Sequence, residues 1–173
     1  GIASAPHPQT GSVDLRQPLL ETLKLLRGQL EQSQTAVHYS IEDEAPYVAI
    51  DDSQLKQLFL NILQNALEAM GSGGDINIRI ARTQAPGPSW ILLEVSDTGP
   101  GMSESVIGHI FEPFFTTKPT GSGLGLAICR SIVDAHRGSI RAENNRVHRG
   151  TTIIVELPAA EASAEAFQSA VRG

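Results

Sequence analysis

Cysteine is nearly absent. Cys129 stands alone among 173 residues, so neither an internal disulfide nor a cysteine metal cluster can form. A reducing compartment fits that count. The five histidines, His7, His38, His109, His136 and His148, have no metal-ligand spacing. No apolar run approaches the ~20 residues that span a bilayer, and no secretory signal is visible. Positive charge is not in excess. The formal net charge of -6 gives electrostatics no reason to favour nucleic acid or an anionic membrane as partner. What remains is one domain with an ordinary globular composition and a length sufficient for a proper core.

Residues 1–12 are rich in Gly, Ala, Ser and Pro without periodicity and read as a linker. Asp14 offers an N-cap, and leucines at three- and four-residue spacing from Leu15 to Leu30 predict one amphipathic helix ending near Gln34. Short strands follow at 37–41 and 47–50, with Pro46 marking a turn between them. Asp52 or Ser53 caps a long helix running to about Met70, closed by Gly71, Gly73 and Gly74. Strands at 76–80 and 90–95 form a hairpin, and 103–110 forms a short helix. A third long helix spans 125–136, and strands at 139–143 and 151–157 form a last hairpin turning at Asn144-Asn145. Pro158 stops it, and residues 159–173 read as a flexible tail. Helices do not alternate singly with strands. That order predicts an α+β fold, a two-layer α/β sandwich whose mixed, mostly antiparallel sheet carries about three long helices on one face.

Three groups of residues stand out against this frame. Trp90 to Val95 delivers Asp97 and the glycines of Asp97-Thr-Gly-Pro-Gly-Met to a loop. A carboxylate there accepts a hydrogen bond from an amino group, while Gly99 and Gly101 let the backbone approach a flat ligand. Glycines recur in Gly121-Ser-Gly-Leu-Gly-Leu, at the mouth of the third long helix. Asn61 and Asn65 sit one turn apart on one face of the 52–70 helix, interrupting an apolar segment. An amide oxygen there suits Mg²⁺, which prefers hard oxygen donors and few protein ligands beside phosphate and water. Together they indicate a nucleotide site.

These residues resemble the sequence boxes of sensor histidine kinases. Asn61-Ile-Leu-Gln-Asn65-Ala-Leu-Glu-Ala-Met is similar to their N box, and Asp97-Thr-Gly-Pro-Gly to the first glycine box. Phe111-Glu-Pro-Phe-Phe resembles the F box, and Gly121-Ser-Gly-Leu-Gly-Leu the second glycine box. Four boxes in order and spacing, over roughly residues 13–158, are specific where each alone is weak. The resemblance implies the Bergerat-type sandwich shared with gyrase, Hsp90 and MutL ATPases, a catalytic domain at 13–158, and ATP and Mg²⁺ as ligands. It implies Asp97 as acceptor for the adenine amine, Asn65 as metal ligand and Asn61 as a neighbouring contact to metal or phosphate. Residues 111–123 would be the ATP lid, with Thr117 among the nucleotide contacts and Lys118 facing the γ-phosphate. Gly121, Ser122, Gly123, Leu124 and Gly125 would hold phosphates, and Thr151 or Thr152 would reach adenine directly or through water.

One position discriminates within the superfamily. Gyrase-, Hsp90- and MutL-type ATPases carry a water-activating glutamate one turn before the metal-binding Asn, and here that position is Asn61, whose amide is no base near neutral pH. The resemblance therefore implies a domain that holds ATP for an outside nucleophile. The nucleophile would be a histidine on a separate dimerisation domain, with relay to a response-regulator aspartate in a cytoplasmic, homodimeric kinase that is either membrane-anchored or soluble. None of the five histidines has the family's phosphoacceptor context, and Arg137-Gly138 stands where the family more often has two glycines. Two alternatives are a Bergerat-fold serine kinase of anti-sigma-factor type and a non-catalytic nucleotide-binding module. The F box and the preceding helix favour the first reading.

Overall fold

The computed structural model describes residues 11–83, 86–115 and 123–161. A five-stranded sheet runs in the order β2 (Ala36–Ile41), β4 (Asp75–Arg82), β5 (Trp90–Asp97), β7 (Thr151–Pro158), β6 (Ser139–Asn144). Both hairpins form as the alternation requires: β4 pairs with β5 and β6 with β7, all antiparallel. β2 lies parallel to β4, with Val37 beside Ile76 and Ile41 beside Ile80. A parallel pair needs a crossover of a dozen or more residues, and the chain between these strands contains the long helix α3 (Asp52–Met70). The strand after Pro46 does not return along β2. β3 (Tyr47–Val48) pairs instead with β1 (Val13–Asp14) in a separate two-stranded sheet.

Period-two alternation buries Ile76, Ile78 and Ile80 of β4, Ile91, Leu93 and Val95 of β5, and Ile153, Val155 and Leu157 of β7 on one face. α3 covers them with Leu55, Leu58, Phe59, Ile62, Leu63, Ala66 and Leu67. It starts where Asp51 accepts from the Ser53 amide at 3.1 Å, one residue before the expected caps, and the Ser53 hydroxyl and amide hold the Asp51 carboxyl below its usual range. α1 (Arg16–Leu25) and α5 (Gly125–Ala135) flank α3 on the same side, completing the two-layer sandwich. The other sheet face is polar, with Arg79 bridging Glu42 and Glu94.

The leucine run after residue 14 forms two helices rather than one. α1 is capped at Leu26, which is buried, and α2 (Arg27–Gln32) follows it, while Leu25 is 72% exposed. The N-cap is Leu15, while the Asp14 carboxylate accepts from the Arg16 amide at 3.0 Å. The helix expected over 103–110 is only the single turn α4 (Glu104–Ile107). Residues 159–161 extend the folded unit past Pro158. Ala159 bridges Val48, Ala160 donates to the Tyr47 carbonyl at 2.8 Å, and the Ser12 hydroxyl bonds the Glu161 carbonyl.

α5 closes with a six-to-one bond from Gly138 N–H to Val133 O at 2.9 Å and a second from Arg137 N–H to Asp134 O at 3.2 Å. This Schellman geometry forces the residue after the cap into the left-handed region, and Arg137 stands there at φ 63°. A side chain in that conformation costs about 1 kcal/mol. Arg137 is exposed. The Arg137→Gly chain is therefore expected to be more stable by about 0.5–1 kcal/mol, read as a higher urea midpoint with unchanged m-value.

Candidate nucleotide site

The alternation that buries Val95 carries Asp97, two residues on, to the helix-facing side, where it is 5% exposed. A buried carboxylate needs donors. Its Oδ1 accepts from the amides of Gly99 at 2.9 Å and Thr151 at 3.2 Å. β7 passes so close that a Cβ on Gly150 would stand 1.9 Å from the Asp97 carbonyl oxygen, and Gly150 has φ +118°. Only glycine fits there. The same alternation separates the two threonines. Thr151 is buried beside Asp97, whereas Thr152 faces the opposite side of the sheet and bonds Ser96 and Asn145. Of the two, Thr151 alone lies beside the Asp97 carboxylate.

Beside this loop lies a cavity of about 630 Å³, a size suited to a small-molecule ligand. One wall is α3, where Asn61, Gln64, Asn65 and Glu68 recur at helical spacing opposite the apolar stripe. Pro100, Gly101 and Met102 form a second wall, and Gly123, Leu124 and Gly125 at the start of α5 form a third. Elements distant in sequence thus bring the N box, the first glycine loop and the end of the second together. Phe115 and Ile110 add apolar lining. Phe114 N–H donates to the Gly123 carbonyl at 2.9 Å, so the two described ends of the 111–123 segment meet there. A Cβ on Gly123, φ +74°, would lie 2.4 Å from the Phe114 carbonyl carbon. Thr117, Lys118, Gly121 and Ser122 lie outside the described residues.

The two asparagines differ. Asn61 Oδ1 accepts from Gln57 Nε2 at 3.0 Å, and its Nδ2 donates to the Gly125 carbonyl at 3.1 Å, tying α3 to the first residue of α5. The Asn65 amide, one turn on, lines the cavity and makes no side-chain hydrogen bond with another described residue. Of the two, only Asn61 is tied to other described residues by its side chain.

The family described as "Histidine kinase-, DNA gyrase B-, and HSP90-like ATPase" matches residues 50–161, well over half of the chain. The chain belongs to this ATPase family. Within it, the chain falls with the catalytic domains of sensor histidine kinases. The catalytic domain of histidine kinase ThkA superposes with a TM-score of 0.78 at 32% identity, over 88% of this chain and 97% of that one. Among curated relatives, the C4-dicarboxylate transport sensor protein DctS of Rhodobacter capsulatus is 36% identical over 92% of this chain and 24% of its own length. The sensor protein FixL of Bradyrhizobium diazoefficiens is 41% identical over 79% of this chain and 26% of its own. The chain thus spans about a quarter of these relatives. ThkA has also been seen in complex with the response regulator protein TrrA.

Two features of this histidine kinase domain are not evident from its boxes. Asn144 and Asn145, expected as turn residues, reach back to the glycine loop: Asn144 bonds the Met102 backbone, and Asn145 Nδ2 donates to the Asp97 carbonyl at 3.0 Å. Cys129 lies fully buried in α5 behind Asn61, its thiol directed at the Leu58 carbonyl at 3.8 Å. Burial pushes the Cys129 thiol up to about 12, with a hydrogen bond from Asn61 pulling the other way. The folded pKa is raised, so the stability this neutral thiol contributes is complete below its unfolded value of about 8.5. It is lost as pH rises toward 12. Native Cys129 is expected to resist a thiol reagent at pH 8 and to react at once in denaturant, measured by reagent absorbance. No described helix is long and apolar enough to cross a membrane.

Proposed function

We propose that this domain holds Mg²⁺-ATP and presents its γ-phosphoryl group to a histidine on a separate dimerisation domain, for relay to an aspartate of a response regulator. The catalytic domain is taken as residues 13–158, preceded by a linker. The observation that carries this reading is the occupant of the turn before Asn65. The Asn61 carboxamide, held by Gln57 and Gly125, has no basicity near neutral pH and cannot take a proton from water.

The adenine ring would enter against Pro100–Met102, its amine toward Asp97, with Thr151 on the same side. Gly123, Leu124 and Gly125, with Gly121 and Ser122, would offer amides at the start of α5 to phosphate oxygens, where the helix dipole favours negative charge. Thr117 and Lys118 are assigned to the lid on sequence alone. Mg²⁺ fits the donor set: Asn65 supplies a hard amide oxygen to the cavity without giving up a structural bond. Bound there, the ion would neutralise charge on the phosphates. Phosphoryl transfer needs chiefly positioning and charge neutralisation, which these residues supply. That ThkA forms a complex with a response regulator supports the same class of partner for this chain.

The test supplies a dimerisation domain bearing its histidine in trans with Mg²⁺-ATP. The expected product is a phosphoryl group on that domain that is labile to acid and stable to base. An acid-stable phosphoserine on an anti-sigma-type partner would instead support the serine kinase reading.

A further inference from the structure

The wall of the cavity formed by residues 100–102 has little of its own to hold it. Among the described residues, the hydrogen bonds to its backbone all come from one side chain, that of Asn144 at the end of β6. Asn144 Oδ1 accepts from the Met102 amide at 2.9 Å, and its Nδ2 donates to the Met102 carbonyl at 2.6 Å. A carboxamide that meets both polar groups of one residue reproduces what a neighbouring strand would offer. The contact is close enough to dictate its neighbour. A Cβ on Gly101, φ +80°, would lie 3.0 Å from Asn144 Oδ1.

The adjacent residue holds the other end of the same loop. Asn145 Nδ2 donates to the Asp97 carbonyl at 3.0 Å. Its own Oδ1 accepts from the Thr152 hydroxyl, which lies 2.6 Å from the Ser96 hydroxyl. Asp97 is therefore held at both its side chain and its backbone. Backbone amides of Gly99 and Thr151 fix its carboxylate, and Asn145 fixes its carbonyl. Thr98 adds a third post, its hydroxyl accepting from the Asp75 amide at 3.0 Å.

We propose that Asn144 and Asn145 are positioning residues for base recognition, setting the height and tilt of the Asp97–Met102 loop and thereby the preference for adenine over guanine. Neither touches the nucleotide. They act through Asp97 and Met102. The proposal rests on the assignment of this loop to adenine. It adds that selectivity depends on two amides contributed by the β6–β7 turn, more than forty residues away in sequence.

The discriminating variant is Asn144→Asp. It keeps the acceptor for Met102 N–H but replaces the donor by an acceptor facing the Met102 carbonyl, at almost unchanged volume. ADP and GDP affinities are measured by calorimetry on the 173-residue chain with Mg²⁺, for the parent, Asn144→Asp, Asn145→Asp and Asp97→Asn. Each asparagine variant is expected to bind ADP about tenfold more weakly with little change for GDP, so that the ADP/GDP ratio falls about tenfold. A merely structural role would lower the melting temperature and leave that ratio untouched. Should a variant fail to fold, amide exchange at Met102 in the parent reads the contact: protection supports it, and exchange at the rate of an open loop overturns it. A parent that binds ADP, loses it on Asp97→Asn, and keeps its ratio in both asparagine variants overturns this proposal alone. A parent with no adenine preference overturns the site reading, and this proposal with it.

Discussion

The Asp97→Asn chain is expected to bind adenine nucleotides about 100-fold more weakly while keeping its fold. Oδ1 accepts from the Gly99 and Thr151 amides, and an asparagine oxygen can take those two bonds equally well. The second oxygen becomes an NH₂ group. A donor then meets the donor amine of adenine in a buried setting, where an unsatisfied pair is costly. The lost charge-assisted bond adds to that cost. Calorimetry with ADP measures the affinity, and thermal unfolding checks that the melting temperature holds within a few degrees. Unchanged affinity would remove Asp97 from the site.

Asn65→Ala is expected to reduce phosphoryl transfer about 1,000-fold or more. The side chain makes no hydrogen bond to another described residue and stands at the cavity wall, so its removal leaves no partner stranded. The effect should be specific to the metal. In the parent, Mg²⁺ is expected to tighten ATP binding and chelation to weaken it. In Asn65→Ala the affinity becomes nearly indifferent to Mg²⁺, as read by nucleotide titrations with and without chelator. A variant that still transfers phosphoryl at the parent rate, or still responds to Mg²⁺, would assign the metal elsewhere. Asn61 contrasts with it. Its amide spans Gln57 and Gly125, so its loss should loosen the start of α5 rather than abolish a metal response.

Long, strongly periodic segments were the legible part of this chain. The apolar stripe of α3 and the alternating pairs β4–β5 and β6–β7 announce themselves because burial acts on neighbours in sequence. Asn61 and Asn65 stand out in the sequence because polar residues set in an apolar period need partners, and Asp97 because a strand delivers it with two glycines to a loop. Contacts set by distant chain do not. Leucines continue in phase through Leu26, yet the run is divided there into α1 and α2. The parallel pairing of β2 depends on where α3 returns the chain, which no local pattern records. Asn144 and Asn145 carry turn chemistry in the sequence, while their amides serve a loop more than forty residues earlier. Thr151 and Thr152 are chemically alike, and only the register against Ser96 tells which faces Asp97.

The most direct test follows ATP itself. The chain is mixed with Mg²⁺-ATP, and ADP is measured before and after adding a separate dimerisation domain with its histidine. ATP should stay bound and intact with the chain alone, at a turnover orders of magnitude below the ~1–10³ s⁻¹ typical of enzymes. ADP should then appear one-for-one with acid-labile phosphoryl on the added domain. Steady release of phosphate by the chain alone, at the pace of a dedicated ATPase, would contradict the account.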